Sequence, residues 1–246
     1  MKGDNPVNQP LLNLCKIGFS YPGGPPVLKD LDFQVCSGDR IGLVAPNGSG
    51  KTTLFHLIMG LLKPDSGTLE AFGSPRRQEK DFIEVRRRIG LLFQDADDQL
   101  FSPTVLEDVA FGPLNLGKSR EEAVAVALKT LDDLGLKGFE NRITYKLSGG
   151  EKRLISLATV LAMEPEVLLL DEPSTGLDAG TRDTLMDILN NLPLSFVLIS
   201  HDLDLISRTV SRIFSLENGR IRCDQEVHIH AHPHAHPMGK QSHSHG

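Results

Sequence analysis

Ile41-Gly42-Leu43-Val44-Ala45-Pro46-Asn47-Gly48-Ser49-Gly50-Lys51-Thr52-Thr53-Leu54 is the stretch on which the fold turns. Its first five residues read as a short buried strand and its Gly-rich middle as a tight loop. Thr52 to Leu62, with apolar residues at helical spacing, reads as a helix. A strand that feeds such a loop into a helix turns backbone N–H groups inward at a helix N-terminus, where an anion is stabilised. Ala45 to Thr52 fits the phosphate loop G-x-x-x-x-G-K-[ST], except that Ala45 stands at the first glycine. Lys51 supplies a cation for β/γ-phosphate oxygens and Thr52 a hydroxyl for Mg2+, while Asn47, Gly48, Ser49, Gly50 and Thr53 complete the cradle. If position 45 requires positive φ, its Cβ costs on the order of 1 kcal/mol.

Outward from that loop the chain has room for a large core. Its 246 residues fit one domain with an inserted lobe better than two independent domains. No window reaches the roughly 18 to 20 consecutive apolar residues of a membrane span. Met1-Lys2-Gly3-Asp4-Asn5-Pro6 lacks the apolar core of a signal peptide. The expectation is a cytosolic protein whose membrane role comes through a partner, peripheral at the cytoplasmic face of the plasma membrane. Cys15, Cys36 and Cys223 form no C-x-x-C, which argues against a disulfide framework or a thiolate metal site. A net charge of −6 argues against a duplex-DNA binder, so no nucleic-acid partner is expected.

Leu12 to Tyr21 and Val27 to Val35 read as strands ahead of the loop. Arg88 to Phe93 reads as the next strand, after a Pro64-Asp65-Ser66-Gly67 turn. From Gln94 to Leu147 helical spacing replaces the strand signal, notably over Arg120 to Leu134, which predicts a helical lobe inserted into a sheet domain. Strand and helix then alternate at Val167 to Asp171, Thr181 to Asn190, Phe196 to Ser200 and Leu203 to Thr209, the parallel α/β pattern. Glu217-Asn218-Gly219-Arg220 predicts an Asn-Gly hairpin between two closing strands. From His228 the composition turns to His, Pro, Ala, Ser and Gly, with nothing to build a core.

Two further stretches carry chemistry. Val167-Leu168-Leu169-Leu170 ends in Asp171-Glu172-Pro173, placing one carboxylate where it can hold a Mg2+ shell and a second one residue on. Leu147-Ser148-Gly149-Gly150-Glu151 stands one helix-length before it. A lone Asp-Glu pair is more often a solvated strand end. This pairing, in order after a phosphate loop, resembles the ATP-binding cassette (ABC) ATPases over nearly all of residues 12 to 223. The resemblance implies an α/β fold: a P-loop NTPase ABC cassette with a mixed sheet core, an N-terminal antiparallel β subdomain and an inserted helical lobe. It assigns residues 12–226 to the ATPase domain, with the lobe at about 94–147; composition sets residues 227–246 apart as a His-rich tail.

It further implies ATP as substrate and Mg2+ as cofactor, the ion held by Thr52, Gln94 and Asp171. Glu172 would polarise the attacking water, a role worth roughly 10² to 10⁴ in rate. His201, at the end of the apolar strand Phe196-Val197-Leu198-Ile199, would contact the γ-phosphate, and Gln94 would reach the Mg2+ and the water as the lobe rotates inward. Tyr21 would stack on adenine, the alternative being a packed strand-end tyrosine. Asp178 matches the D-loop residue. Ser148, Gly149 and Gly150 would face the γ-phosphate of a second subunit, so that two ATPs are sandwiched in a head-to-tail pair, either a homodimer or a pairing with a paralogue.

Phe93-Gln94-Asp95-Ala96-Asp97-Asp98-Gln99-Leu100-Phe101, continuing through Thr104-Val105-Leu106-Glu107-Asp108-Val109-Ala110-Phe111-Gly112-Pro113, is similar to the energy-coupling-factor importers, particularly their cobalt and nickel branch. That similarity implies two membrane partners, a coupling subunit and a substrate-binding subunit. Asp95, Asp97 and Asp98 beside Leu100 and Phe101 suit an amphipathic coupling helix bearing Arg. His228, His230, His232, His234 and His236 alternate with small or apolar residues, and His243 and His245 repeat the spacing. Alternation puts these imidazoles on one face of an extended chain, and imidazole suits Ni2+ or Co2+ as well as Cu2+ and Zn2+. The competing accounts of the tail are an appended tag, although tags are usually uninterrupted His runs, and a segment whose metal binding is incidental. The sequence thus points to an ATPase that energises import of nickel or cobalt ions. Its rivals are a vitamin importer of the same class with an incidental tail, a soluble ABC protein, and a metallochaperone.

Overall fold

The structure, a computed structural model, describes residues 9–223. The histidines expected to bind a transition metal, His228, His230, His232, His234, His236, His243 and His245, lie outside the described residues.

Two sheets form from strands of different character. Strands β1 (Leu12–Ser20), β2 (Pro26–Val35), β4 (Ser66–Ala71) and β5 (Ser74–Pro75) pair antiparallel in the order β2-β1-β4-β5. On β1 the buried residues Leu12, Leu14, Ile17 and Phe19 face the interior between more exposed neighbours, the pattern of a sheet covered on one face. The second sheet contains β3 (Arg40–Val44), β6 (Ile89–Leu92), β7 (Val167–Asp171), β8 (Ser195–Ile199), β9 (Arg212–Glu217) and β10 (Arg220–Cys223). Its order is β10-β9-β3-β8-β7-β6, and every neighbouring pair is parallel except β9 with β10.

β7 and β8 are buried at every position, which accounts for their unbroken apolar sequence: both faces are covered. On one face Ile41, Leu43, Val197 and Ile199 share a core with Leu54, Phe55, Leu57 and Ile58 of α1 (Lys51–Ile58) and with the inner residues of β1 and β2. On the other, Leu168, Leu170, Phe196 and Leu198 join residues of α5 (Gly149–Leu161), α6 (Ala179–Asn191) and α7 (Leu203–Thr209). Helices α3 (Val105–Asn115) and α4 (Arg120–Asp133) close a separate cluster around Val109, Ala127 and Leu131, to which α5 contributes Leu154, Ile155 and Ala158. Helix α5 therefore belongs to both bodies, the sheet layer through Leu157 and Val160 and the helical layer through Ile155.

Three elements do not follow from the sequence pattern: β4, β5 and α2 (Glu79–Arg88). Only Leu69 and Ala71 of β4 and only Phe82 and Val85 of α2 are buried, too few to print a clear period. α1 stops at Ile58 rather than Leu62, because Gly60 takes φ 69 and ends the helical path. β6 begins at Ile89, since Arg88 still belongs to α2. No helix among the described residues is long and apolar enough to cross a membrane.

Candidate active site

The carboxyl ends of β3, β7 and β8 and the segment leaving β6 meet at one edge of the parallel sheet, where open α/β folds place ligands. A cleft of about 740 Å³ there is lined by Tyr21, Val27, Asn47, Gly48, Gly50, Lys51, Thr52, Thr53, Gln94, Asp171, Glu172, Thr175 and His201.

The loop that shapes its floor relies on two glycines. Gly48 has φ 76 and Gly50 φ 101, left-handed values that a side chain would oppose. Helix α1 starts immediately after Gly50, and no side chain hydrogen-bonds to its first N–H groups. Ala45, by contrast, is not among the residues with positive φ. The cost anticipated for its methyl group is therefore not incurred: Ala45 is buried directly after β3, with its backbone outside the left-handed region.

Lys51 is 8% exposed. Its Nζ donates to the Ala45 carbonyl at 2.6 Å, and lies 2.9 Å from His201 Nε2 and 3.7 Å from Glu172 Oε1. His201 Nε2 also lies 3.1 Å from Asn47 Oδ1 and 3.2 Å from Glu172 Oε1. One ring nitrogen serves one of these partners at a time: when the Lys51 ammonium donates to it, it has no hydrogen for either oxygen. Glu172 Oε1 is then a buried carboxylate oxygen with no hydrogen bond of its own. The Glu172 backbone sits at φ 46, a left-handed strain on the order of 1 kcal/mol. It is held there by its N–H to the Ile199 carbonyl at 2.9 Å and by the His201 N–H to Oε2 at 3.2 Å.

Thr52 Oγ1 donates to Asp171 Oδ2 at 2.7 Å. Burial pushes the Asp171 carboxyl above its ordinary value, opposed by the Thr52 hydrogen bond and the Lys51 charge, and its Oδ1 has no partner. A hydroxyl and a carboxylate in contact, with one buried carboxylate oxygen to spare and the Gln94 amide on the same wall, form an all-oxygen donor set. That set fits Mg2+ and not a soft metal. Tyr21 is 45% exposed at the rim. Its hydroxyl meets Thr53 Oγ1 at 3.0 Å and its ring stands edge-on to Phe19 at 5.0 Å, so it is packed as a strand-end tyrosine and still presents half its surface.

Five expected residues do not line this cleft: Ser49, Ser148, Gly149, Gly150 and Asp178. Ser148 caps α5, and Asp178 caps α6 through Oδ1, which accepts the N–H groups of Gly180 and Thr181 at 3.0 and 3.1 Å. The Thr181 hydroxyl, donating to Asp178 at 2.7 Å, is the main reason that carboxyl lies below its ordinary value. The acidic run after Gln94 also divides. Asp95 caps the turn Ala96–Asp98, Asp97 pairs with Lys152 at 2.5 Å, and Asp98 lines a neighbouring cavity together with Asp95, Gln94 and Arg153. Sequence reasoning missed Val27 and Thr175 as cleft walls. Thr175 had one available signal, its place in the turn after Glu172, where its N–H bonds the Glu172 carbonyl at 3.2 Å.

The sequence profile described as "ABC transporter" matches residues 28–175, more than half of the chain. The chain belongs to the ABC transporter ATP-binding family. It is an ATPase coupled to transport, and its use of ATP with Mg2+ agrees with the donor set of the cleft. The cassette is 50% identical over 240 residues to a putative ABC transporter ATP-binding protein of Nitratidesulfovibrio vulgaris, covering 97% of this chain and 88% of that one. It is 42% identical over 215 residues to the energy-coupling factor transporter ATP-binding protein EcfA of Methanothermobacter thermautotrophicus, covering 86% and 69% of the two chains. Among solved structures it is similar to cbiO1 from Clostridium perfringens, part of the ABC transporter complex cbiONQ. That match has a TM-score of 0.77 at 32% identity, with 87% of each chain covered. The dimeric, post-hydrolysis cassette MJ0796 bound to ADP and Pi matches with a TM-score of 0.77 at 28% identity, covering 86% of this chain and 96% of that one.

Proposed function

We propose that this cassette energises an energy-coupling-factor importer of nickel or cobalt ions, working at the cytoplasmic face of the plasma membrane as one half of a head-to-tail cassette pair. The observation that carries the reading is the convergence of Lys51, Thr52, Asp171, Glu172 and His201 on one cleft. Lys51 and the uncapped start of α1 bind the phosphates, with Asn47, Gly48, Ser49, Gly50 and Thr53 as the cradle. Thr52, Asp171 and Gln94 would hold Mg2+, which supplies charge neutralisation on the β/γ-phosphate oxygens. Glu172 takes the proton of the attacking water at Oε1, the oxygen that its neighbours leave free. His201 contacts the γ-phosphate, and Tyr21 offers its exposed ring to adenine. Ser148, Gly149, Gly150 and Asp178 serve the partner cassette, a reading supported by their absence from the cleft and by the dimeric form of MJ0796.

The import reading is supported by the similarity to EcfA and to cbiO1. It is also supported by the cavity beside Gln94, lined by Asp95 and Asp98, which shares Leu91 and Phe93 with a groove that carries Phe101 and Phe111. Those two exposed rings meet edge to face at 4.8 Å, an apolar seat next to carboxylates that suits a coupling helix bearing Arg. Cargo handling on this chain is assigned to the alternating histidines of the tail, whose imidazoles suit Ni2+ and Co2+. The alignment with the N. vulgaris relative covers 97% of the chain and so extends past Val227, which supports the tail as part of the protein rather than an appended tag.

The test is uptake of radiolabelled nickel and cobalt by the complex reconstituted with its co-purified membrane partners. Uptake should require ATP and stop with Glu172→Gln, and truncation after Gln225 should weaken it. ATP-driven uptake of a vitamin with transport of neither metal would overturn the cargo. Co-isolation of ribosomes or nucleic acid in place of polytopic membrane proteins would overturn transport.

A further inference from the structure

Arg153 is a buried cation for which the nucleotide cleft has no use. It lies on α5, 5% exposed, and forms no ion pair among the described residues. Burial lowers its basicity, countered only through space by Asp95 and Asp171. A guanidinium is costly to bury without a carboxylate unless its donors are satisfied in another way. Here they go to the backbone: Nη1 donates to the Phe93 carbonyl at 2.6 Å, and Nη2 donates to the Gln94 carbonyl. These are the two carbonyls at which the chain leaves β6 and enters the cleft.

Gln99 makes a second tie from the same segment. Its Nε2 donates to the Ser156 carbonyl and to Thr159 Oγ1, both at 2.8 Å, and its Oε1 accepts the Phe93 N–H at 3.3 Å. Arg153, Ser156 and Thr159 stand three residues apart, on one face of α5. Gly90 lets that helix lie directly on β6, since a Cβ there would sit 2.2 Å from Val160 Cγ1. Residues 93–99 are thus stitched to α5, and the N-terminus of the same helix carries Ser148, Gly149 and Gly150.

We propose that Arg153 is a positioning residue that makes Gln94 and the Ser148–Gly150 end of α5 move as one body, so that engagement of Gln94 with its own nucleotide sets the donors offered to the partner cassette. The inference rests on the paired-cassette reading above. Carbonyls suit this task better than a carboxylate would. They hold the guanidinium only while the backbone at 93–94 keeps this conformation, so the tie depends on the segment's shape, whereas a carboxylate on a flexible side chain could follow the cation through a change.

The test uses the full-length protein, comparing steady-state hydrolysis across ATP concentrations with equilibrium binding of MgADP. Paired cassettes should turn over ATP cooperatively in the parent; Arg153→Met should lower kcat about tenfold and flatten that sigmoidal response, while the MgADP Kd stays within about twofold. Arg153→Lys, which keeps the charge but on a single donor nitrogen, should recover part of kcat. A folded Arg153→Met with wild-type kcat and sigmoidicity overturns the proposal, as does a loss of MgADP affinity equal to the loss of kcat/KM. Should Arg153→Met fail to fold, Gln99→Leu cuts the other tie and must show the same split. Hydrolysis by the parent protein measured across protein concentrations separates the two readings: non-cooperative turnover with a specific activity independent of concentration sinks the paired-cassette reading, whereas cooperative, concentration-dependent turnover left unchanged by the tie variants sinks the tie alone.

Discussion

Helices α1 and α5 both start at stretches that point to phosphate, and they start differently. α1 follows Gly50 with no side chain on its first N–H groups and with Lys51 buried in its first turn. α5 follows Ser148, whose Oγ accepts the Glu151 N–H at 3.2 Å while Glu151 Oε2 accepts the Ser148 N–H at 2.8 Å. Most other helices resemble α5: Thr104 with Glu107, Ser119 with Glu122, and Asp178 close α3, α4 and α6. An uncapped start keeps orphan donors in need of a partner, whereas a capped one is already satisfied. The contrast teaches that α1 is built around an anion. α5 is a finished element that presents only what its cap leaves over, the Ser148 hydroxyl hydrogen and the N–H groups of Gly149 and Gly150.

The sharpest break of that contrast is on the α1 side. Lys51→Met should cut hydrolysis by about 10² to 10³ and weaken MgATP binding, read from kcat and calorimetry. Melting temperature should fall with it, because Glu172 loses the ammonium 3.7 Å from its buried carboxylate. On the α5 side, Ser148→Ala should reduce kcat by roughly 10 to 100-fold with MgADP affinity unchanged, and cost about 1 kcal/mol of stability through the lost cap.

Gly149→Ala isolates the outward role. A Cβ at Gly149 meets nothing within 4 Å, so thermal stability should hold or rise by about 0.5 to 1 kcal/mol. A drop in kcat with an unchanged melt then reports a contact made outside this chain, and wild-type kcat would count against the outward-facing role of α5. The smallest effect concerns pH. The Glu151 carboxyl is held below its ordinary 4.5, first by the Ser148 N–H, so it adds stability above that value and loses it as pH falls through the lower folded pKa. Glu151→Gln should be less stable than the parent at pH 7 by under about 1 kcal/mol, with the gap closing on acidification in pH-dependent melts.

The cleft was legible in the sequence because Gly48, Gly50, Lys51 and Thr52 act within one turn of chain, and because Asp171, Glu172 and His201 end apolar strands. Ala45 marks a limit of that legibility: a departure from the motif looked like strain, yet the backbone there is ordinary. Arg153 was not legible at all, since its partners are carbonyls 60 and 59 residues away and every residue has a carbonyl. Asp97 shows the same blindness. As one of three neighbouring carboxylates it seemed available for docking, but Lys152, 55 residues on, claims it.

By itself, the sequence determined how α1 and α5 begin, because a glycine's φ and a Ser-x-x-Glu cap are settled within four residues. Only the tertiary structure decided which charges are free to act. The sheet order β3-β8-β7-β6 brings Lys51, His201, Glu172 and Gln94 to one edge, while the packing of α5 on β6 ties Arg153 and Lys152 to the segment that follows. Pairing depends on distances of a few ångströms between strand ends far apart in the chain, and no local pattern encodes those distances.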